Sequence, residues 1–189
     1  MLETNYPPTV NELIDDSRLN VLGPGTPNPS IHTRLTQLTP QTLLEPHTVA
    51  DTDMARACLS ALWLHHDYLD ESHTISQDIP TSTGSYWHAI MHRREGDFGN
   101  SAYWFRRVGN HPVFAQLGEE AQTWQQSEGN LLPKLPLSTN GDWDPFTFGE
   151  LCEGAVRKRN AFEDQCRQLQ QLEWRLLFDF CYQAAVSVS

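Results

Sequence analysis

From Asp51 onward the apolar positions recur every three or four residues. Ala55, Cys58, Leu59, Leu62, His66, Leu69 and His73 fall on one stripe, and that period belongs to a helix. The pattern predicts a helix opened by Asp51 or Thr52 and running to about Ser76, with Asp70 and Gln77 extending the stripe. A second helix is expected from about Tyr86 to Glu95, capped by Ser82, Thr83 or Ser85 and stopped by Gly96. Asn100 is the expected N-cap of a third that ends at Val108, with Gly109 after it and Pro112 beyond. A further short helix is expected from Gly118 to Ser127. Thr147-Phe-Gly-Glu150 fits a capping box and opens a helix of about 35 residues to about Ala185. Its apolar positions drift around the axis, as a central helix with neighbours on several sides requires.

The N-terminal quarter reads differently. Thr9-Val-Asn-Glu12 fits a capping box, so a short helix is expected to about Arg18. Pro24, Pro27, Pro29, Pro40 and Pro46, with Gly23 and Gly25, then argue against a long regular element up to about Val49. Such an arm is expected to pack over something. Leu131 to Pro145 reads as a loop with a turn at Asn140-Gly141-Asp142. No strand-like alternation of useful length occurs. The expected fold is all-α, a single-domain helical bundle of about five to seven helices with a long C-terminal helix. Residues 1–50 supply the short helix and the Pro/Gly-rich arm, packed on a helical domain over residues 51–189.

Composition narrows the function. The 189 residues carry a net charge of −11 with no basic stripe, which disfavours nucleic-acid binding, since phosphate neutralisation supplies most of that affinity. No apolar run approaches the roughly 20 residues that span a bilayer, and the first residues lack the basic and apolar regions of a secretory signal. A soluble, cytoplasmic protein is expected. Cys58, Cys152, Cys166 and Cys181 are widely spaced and read as reduced, buried thiols.

Candidate chemistry concentrates between Leu62 and Pro112, which hold six of the eight histidines. His66, Asp70, His73 and Gln77 form one helical stripe, and His88, His92 and Glu95 another. Two such helices packed side by side would converge imidazoles and carboxylates, the ligand set of Zn, Fe, Mn or Ni. A metal-free polar network is the competing account of the same stripes. Arg93-Arg94 and Arg106-Arg107 are the other concentration of charge. An Arg fork holds a carboxylate or phosphate, but neighbours on a helix point about 100° apart, so one Arg of each doublet can reach a given point. Structural pairing with Glu71, Glu95 or Asp97, or stacking on Tyr86, Trp87, Tyr103 or Trp104, is the alternative. No serine sits in a nucleophile elbow, and Asp70-Glu-Ser-His73 cannot form a triad within one helical turn.

The segments Tyr86-Trp-His-Ala-Ile-Met-His-Arg-Arg-Glu-Gly-Asp97 and Tyr103-Trp-Phe-Arg-Arg-Val-Gly-Asn-His-Pro-Val-Phe114 resemble a family of uncharacterised bacterial and fungal proteins. Asp70-Glu-Ser-His-Thr-Ile-Ser-Gln77 resembles part of the same pattern. The resemblance covers Leu62 to Leu117 and implies a shared pocket there, without an activity, cofactor or fold.

The expected function is a small-molecule enzyme, with acid–base chemistry of lyase, isomerase or cyclase type on an anionic or polar substrate. Its catalytic candidates are His73, His88, His92, Asp70 and Glu95; the metal candidates are His73, His88 and His92, for a divalent Zn, Fe, Mn or Ni ion. Substrate binding falls to Arg94, Arg106, Trp87, Tyr103 and Gln77. A non-catalytic ligand-binding protein or a helical interaction module, its polar stripes serving structure, is the alternative.

Overall fold

Proline and short polar acceptors decide where the helices of this chain begin. The computed structural model describes residues 5–15, 17–128, 132–158 and 162–186. Among them are ten helices and no strand: α1 (Pro8–Leu13), α2 (Pro29–Thr36), α3 (Pro40–Leu44), α4 (Thr52–His65), α5 (Leu69–Ser76), α6 (Ser82–Glu95), α7 (Phe98–Val108), α8 (Pro112–Glu128), α9 (Pro145–Lys158) and α10 (Glu163–Ala185). Half of them open on proline. A proline at the first helical position loses no hydrogen bond and arrives with its φ already helical. The same residues that argue against a long element in the arm therefore start two short ones, α2 and α3.

Caps account for the other shifted boundaries. Thr81 accepts from the Gly84 amide at 3.1 Å, so α6 opens at Ser82, four residues before Tyr86. Asp97 accepts from the Asn100 amide at 2.9 Å, which draws Asn100 inside α7. Asp144 accepts from the Phe146 amide at 3.0 Å and from the Thr147 hydroxyl at 2.6 Å, so α9 starts ahead of the expected box. α1 opens on Pro8 with no side-chain cap, and Thr9 lies within it. The long C-terminal helix is α10, and α9 precedes it as a separate element; residues 159–161, which the expected continuous helix would cross, lie outside the described residues.

The helix expected from Asp51 to Ser76 is broken at Asp67, whose φ of 64° lies in the left-handed region. That conformation costs an ordinary L-residue roughly 1–2 kcal/mol. The return is a buried carboxylate that pairs with both Arg18 and Arg94 and accepts from Asn20 Nδ2 at 2.8 Å. Charge-assisted bonds of this kind contribute about 1.5–3 kcal/mol each, enough to hold the kink. Gly25 fits tightly beside it: its φ is +74°, and a Cβ there would lie 2.4 Å from Asp67 Cγ. The arm is thereby tied to the α4–α5 junction. Further ties are the Asn28 amide on the His66 carbonyl (3.1 Å), Tyr68 on the Asn28 carbonyl (3.0 Å), and Arg167 of α10 on the Asn20 carbonyl (3.1 Å).

α6 is the enclosed helix, buried from Thr83 through Arg94. Its polar residues are buried because each side meets a different partner. Arg93 pairs with Glu173 of α10, both fully buried; Tyr86 donates to the same carboxylate at 3.0 Å, and the guanidinium lies over Phe148 of α9 at 4.6 Å. Arg94 turns to Asp67 and donates to the Gly23 carbonyl at 2.9 Å. His88 and His92 face α5 and α7. No described helix is long and apolar enough to cross a membrane.

Candidate metal centre

The approach of α5 to α6 is what makes a site. Ser60 of α4 donates to the Ser72 carbonyl at 3.0 Å, which seats α5 against α4. Gly84 then lets α6 press on the α5–α6 connection, where a Cβ would come within 2.3 Å of the Ile79 carbonyl oxygen. His88 and His92, one turn apart on α6, consequently meet His73 of α5. The ring centroids lie 4.6 Å apart for His73–His88, 4.7 Å for His88–His92 and 5.4 Å for His73–His92. One nitrogen of each ring lies within 4.8 Å of those of the other two.

The outer nitrogens are held from behind. His92 Nδ1 lies 3.1 Å from Glu95 Oε2, an acceptor only, so this nitrogen carries the hydrogen. His88 Nδ1 lies 3.1 Å from Ser76 Oγ, whose own hydroxyl donates to the His73 carbonyl at 3.3 Å. The Ser76 hydroxyl can accept from His88 Nδ1–H while donating to the His73 carbonyl, or rotate and donate to Nδ1. In the tautomer with both outer nitrogens protonated, the neutral rings aim their Nε2 lone pairs at each other, 3.0 Å apart. In that tautomer a cation, a shared proton or a metal ion, is required by the two lone pairs; with Ser76 donating to His88 Nδ1, His88 Nε2–H instead donates to His92 Nε2. Two imidazole nitrogens bound about 2.1 Å from one ion would lie about 3.0–3.4 Å apart. Burial, followed by the neighbouring His92 and His73, holds His88 neutral, pushed down to about 3. Neutral imidazole is the form that binds metal.

Trp104 of α7 closes one wall, its ring centroid 4.2 Å from that of His88. Arg107, one turn further along α7, sets its guanidinium over Trp104 at 5.1 Å. His88 and His92 are buried, His73 is half-buried, and the Glu95 side chain is 52% exposed. The open side thus lies past His73 and Glu95.

Of the residues that the spacing nominates, His73, His88, His92 and Glu95 come together. Asp70 and Gln77 are exposed on α5 and at its C-cap, and among the described residues neither side chain bonds to the cluster. The kink at Asp67 takes His66 off the stripe, and its Nε2 bonds the Leu13 carbonyl at 2.8 Å. Trp87 is fully buried and donates to Cys181 Sγ at 3.3 Å. Arg94 is held by Asp67. Arg106 is exposed, without an ion pair among the described residues, and Tyr103 is 48% exposed with its ring edge-on to Trp104. Sequence spacing does not single out Ser76; it names Trp104 and Arg107 only as a stacking partner and as one member of an arginine doublet, and the structure stacks that pair. Ser76 follows His73 by three, and Arg107 follows Trp104 by three, so both relations are readable on a helix once its partner face is known. All four cysteines are free and buried, as their spacing suggests.

Compared with protein-family models, with curated proteins and with solved structures, the chain has no match in any of the three.

Proposed function

We propose that the protein is a metal-dependent enzyme acting on a small polar or anionic molecule by acid–base chemistry. His73, His88 and His92 hold one divalent ion, of Zn, Fe, Mn or Ni type, and leave a position free on the solvent side. The observation that carries this reading is the pair of Nε2 atoms 3.0 Å apart whose Nδ1 atoms are already committed to Glu95 and Ser76. Histidine ligands are ordinarily fixed in this way, by a carboxylate or another acceptor on the far nitrogen. A bound ion of this class supplies Lewis acidity and lowers the pKa of coordinated water.

The chain's own residues have separable duties. Ser76 and Glu95 set the tautomers and ring orientations of His88 and His92. Trp104 excludes water from the inner face of His88. Glu95, half in solvent, keeps one oxygen available at the rim for proton transfer.

A metal-free reading has one specific support. A single shared proton between the two Nε2 atoms would complete a chain from Ser76 through His88 and His92 to Glu95, as in a ligand-binding or interaction protein with a structural network. Elemental analysis of protein purified without chelators separates the two. Near-stoichiometric transition metal that is lost in His88→Ala and His92→Ala supports the enzyme reading. No metal at purification, together with no uptake of Zn(II), Fe(II), Mn(II) or Ni(II) at micromolar concentration, defeats it.

A further inference from the structure

Four arginines lie on α6 and α7, and three of them have no call on the site. Arg93 is spent on Glu173 in the core and Arg94 on Asp67. Arg106 contacts no aromatic ring and no carboxylate among the described residues. Arg107 differs. It is exposed, has no ion pair among the described residues, and its guanidinium is laid over Trp104, whose ring packs on His88. Resting on the metal centre proposed above, we infer that Arg107 is the anion-binding residue of that site. Its substrates then carry a second anionic group, carboxylate or phosphate, beside the group that meets the metal.

Three physical points support this. A guanidinium stacked on an indole is held by ring electrostatics and dispersion, so its remaining fork of N–H donors stays free and oriented. An unstacked surface Arg would lose more side-chain freedom on binding and grip less well. Distance is suitable too: the two stacking separations, 4.2 and 5.1 Å, keep the Arg107 Cζ no more than about 9.3 Å from the His88 ring centre, a gap that a short-chain dianion can bridge. Finally, the chain carries a net charge of −11, so a small anion is not drawn in by the overall field. An anionic substrate needs a specific cation beside the site, and Arg107, exposed on the Trp104 wall, is the arginine of the four placed to be that cation.

The test uses the full chain loaded with Co(II), whose visible absorption reports on groups entering the coordination sphere. Succinate and glutarate are titrated in 0.15 M salt against their length-matched monoanions, butyrate and valerate. The expected result is that each dianion binds at least tenfold more tightly than its matched monoanion. Arg107→Met removes that gap with Co(II) affinity unchanged, Arg107→Lys restores part of it, and Arg106→Met leaves it intact. A gap that survives Arg107→Met, or that falls equally in Arg106→Met, overturns the assignment while leaving the metal centre standing, as does equal binding of dianions and monoanions by the unaltered chain. Absence of any Co(II) spectrum in the unaltered chain overturns the metal centre and the Arg107 assignment together.

Discussion

Replacing Glu95 by Gln isolates the charge behind His92, because the amide oxygen can still accept from Nδ1–H at the position now occupied by Oε2, 3.1 Å away. The geometry of the ring is kept and only the negative charge is removed. Across the imidazole, that charge would lie about 6.5 Å from an ion on Nε2. A divalent ion and a carboxylate at that separation interact by about 1.3–2.6 kcal/mol for an effective dielectric between about 80 and 40. This corresponds to about 10- to 80-fold in affinity. With the Glu95 side chain 52% exposed, solvent screening favours the lower half, about 10- to 30-fold. Competition with a chromophoric chelator for Zn(II) at pH 7.5 and low salt reads this out. Glu95→Ala should weaken binding further, since it also leaves the Nδ1–H without its acceptor, and raising the salt to 0.5 M should shrink the Glu95→Gln effect. Zn(II) affinity within twofold of the unaltered chain for both variants would refute the idea that Glu95 tunes a metal ligand.

Further outcomes follow from the surroundings of the site. Arg93→Met leaves the Glu173 carboxylate buried with Tyr86 as its remaining described partner, so it should cost about 3–5 kcal/mol, roughly a 10 °C fall in Tm. The double variant with Glu173→Gln should regain much of that loss; a double variant as unstable as the single one would show that the pair is not the source. Gly84→Ala places a methyl 2.3 Å from the Ile79 carbonyl and should cost about 1–3 kcal/mol, with weaker Zn(II) binding because α6 is pushed off α5; an unchanged Tm and Zn(II) affinity would contradict the close approach. Burial, with the neighbouring His66 and Arg18, pushes His65 down to about 3, and burial pushes His111 down to about 4, against about 6.5 in the unfolded chain. Below that value the unfolded chain takes up protons that the folded chain refuses. Stability therefore falls as pH drops from about 6.5 towards 4, by up to about 1.4 kcal/mol per pH unit for each ring. Urea midpoints that do not move between pH 7 and pH 5 would contradict this.

The helical class and the common face of His88, His92 and Glu95 were legible because both depend on local period. Spacing puts His88, His92 and Glu95 on one side of a helix whatever that helix packs against. What could not be read is anything decided at a distance. Asp67 breaks its helix because Arg18 and Arg94, far off in sequence, reward a buried carboxylate there, and the break removes His66 from the stripe that it shares in a continuous helix. The fate of two arginines was equally remote, Glu173 claiming Arg93 and Asp67 claiming Arg94, whereas the stacking of Arg107 on Trp104 is a local contact three residues apart. In the arm, prolines read as breakers act as first residues, a distinction that depends on the residue ahead of each. Asn28 and Thr39 supply the caps before Pro29 and Pro40.

The α4–α5 junction has one consequence for durability. The helix that presents His73 begins two residues after Asp67, whereas His88 and His92 ride on the enclosed α6. The N-terminal tether, from Arg18 to Asn28, thus bears on one of the three clustered histidines. A protease cut inside the tether would remove the Arg18 and Gly25 contacts that hold the Asp67 kink and so loosen the start of the helix that carries His73. By the same coupling, a captured ion at a hundredfold excess over its dissociation constant would add about 2.7 kcal/mol to the closed form, shielding the tether from cleavage.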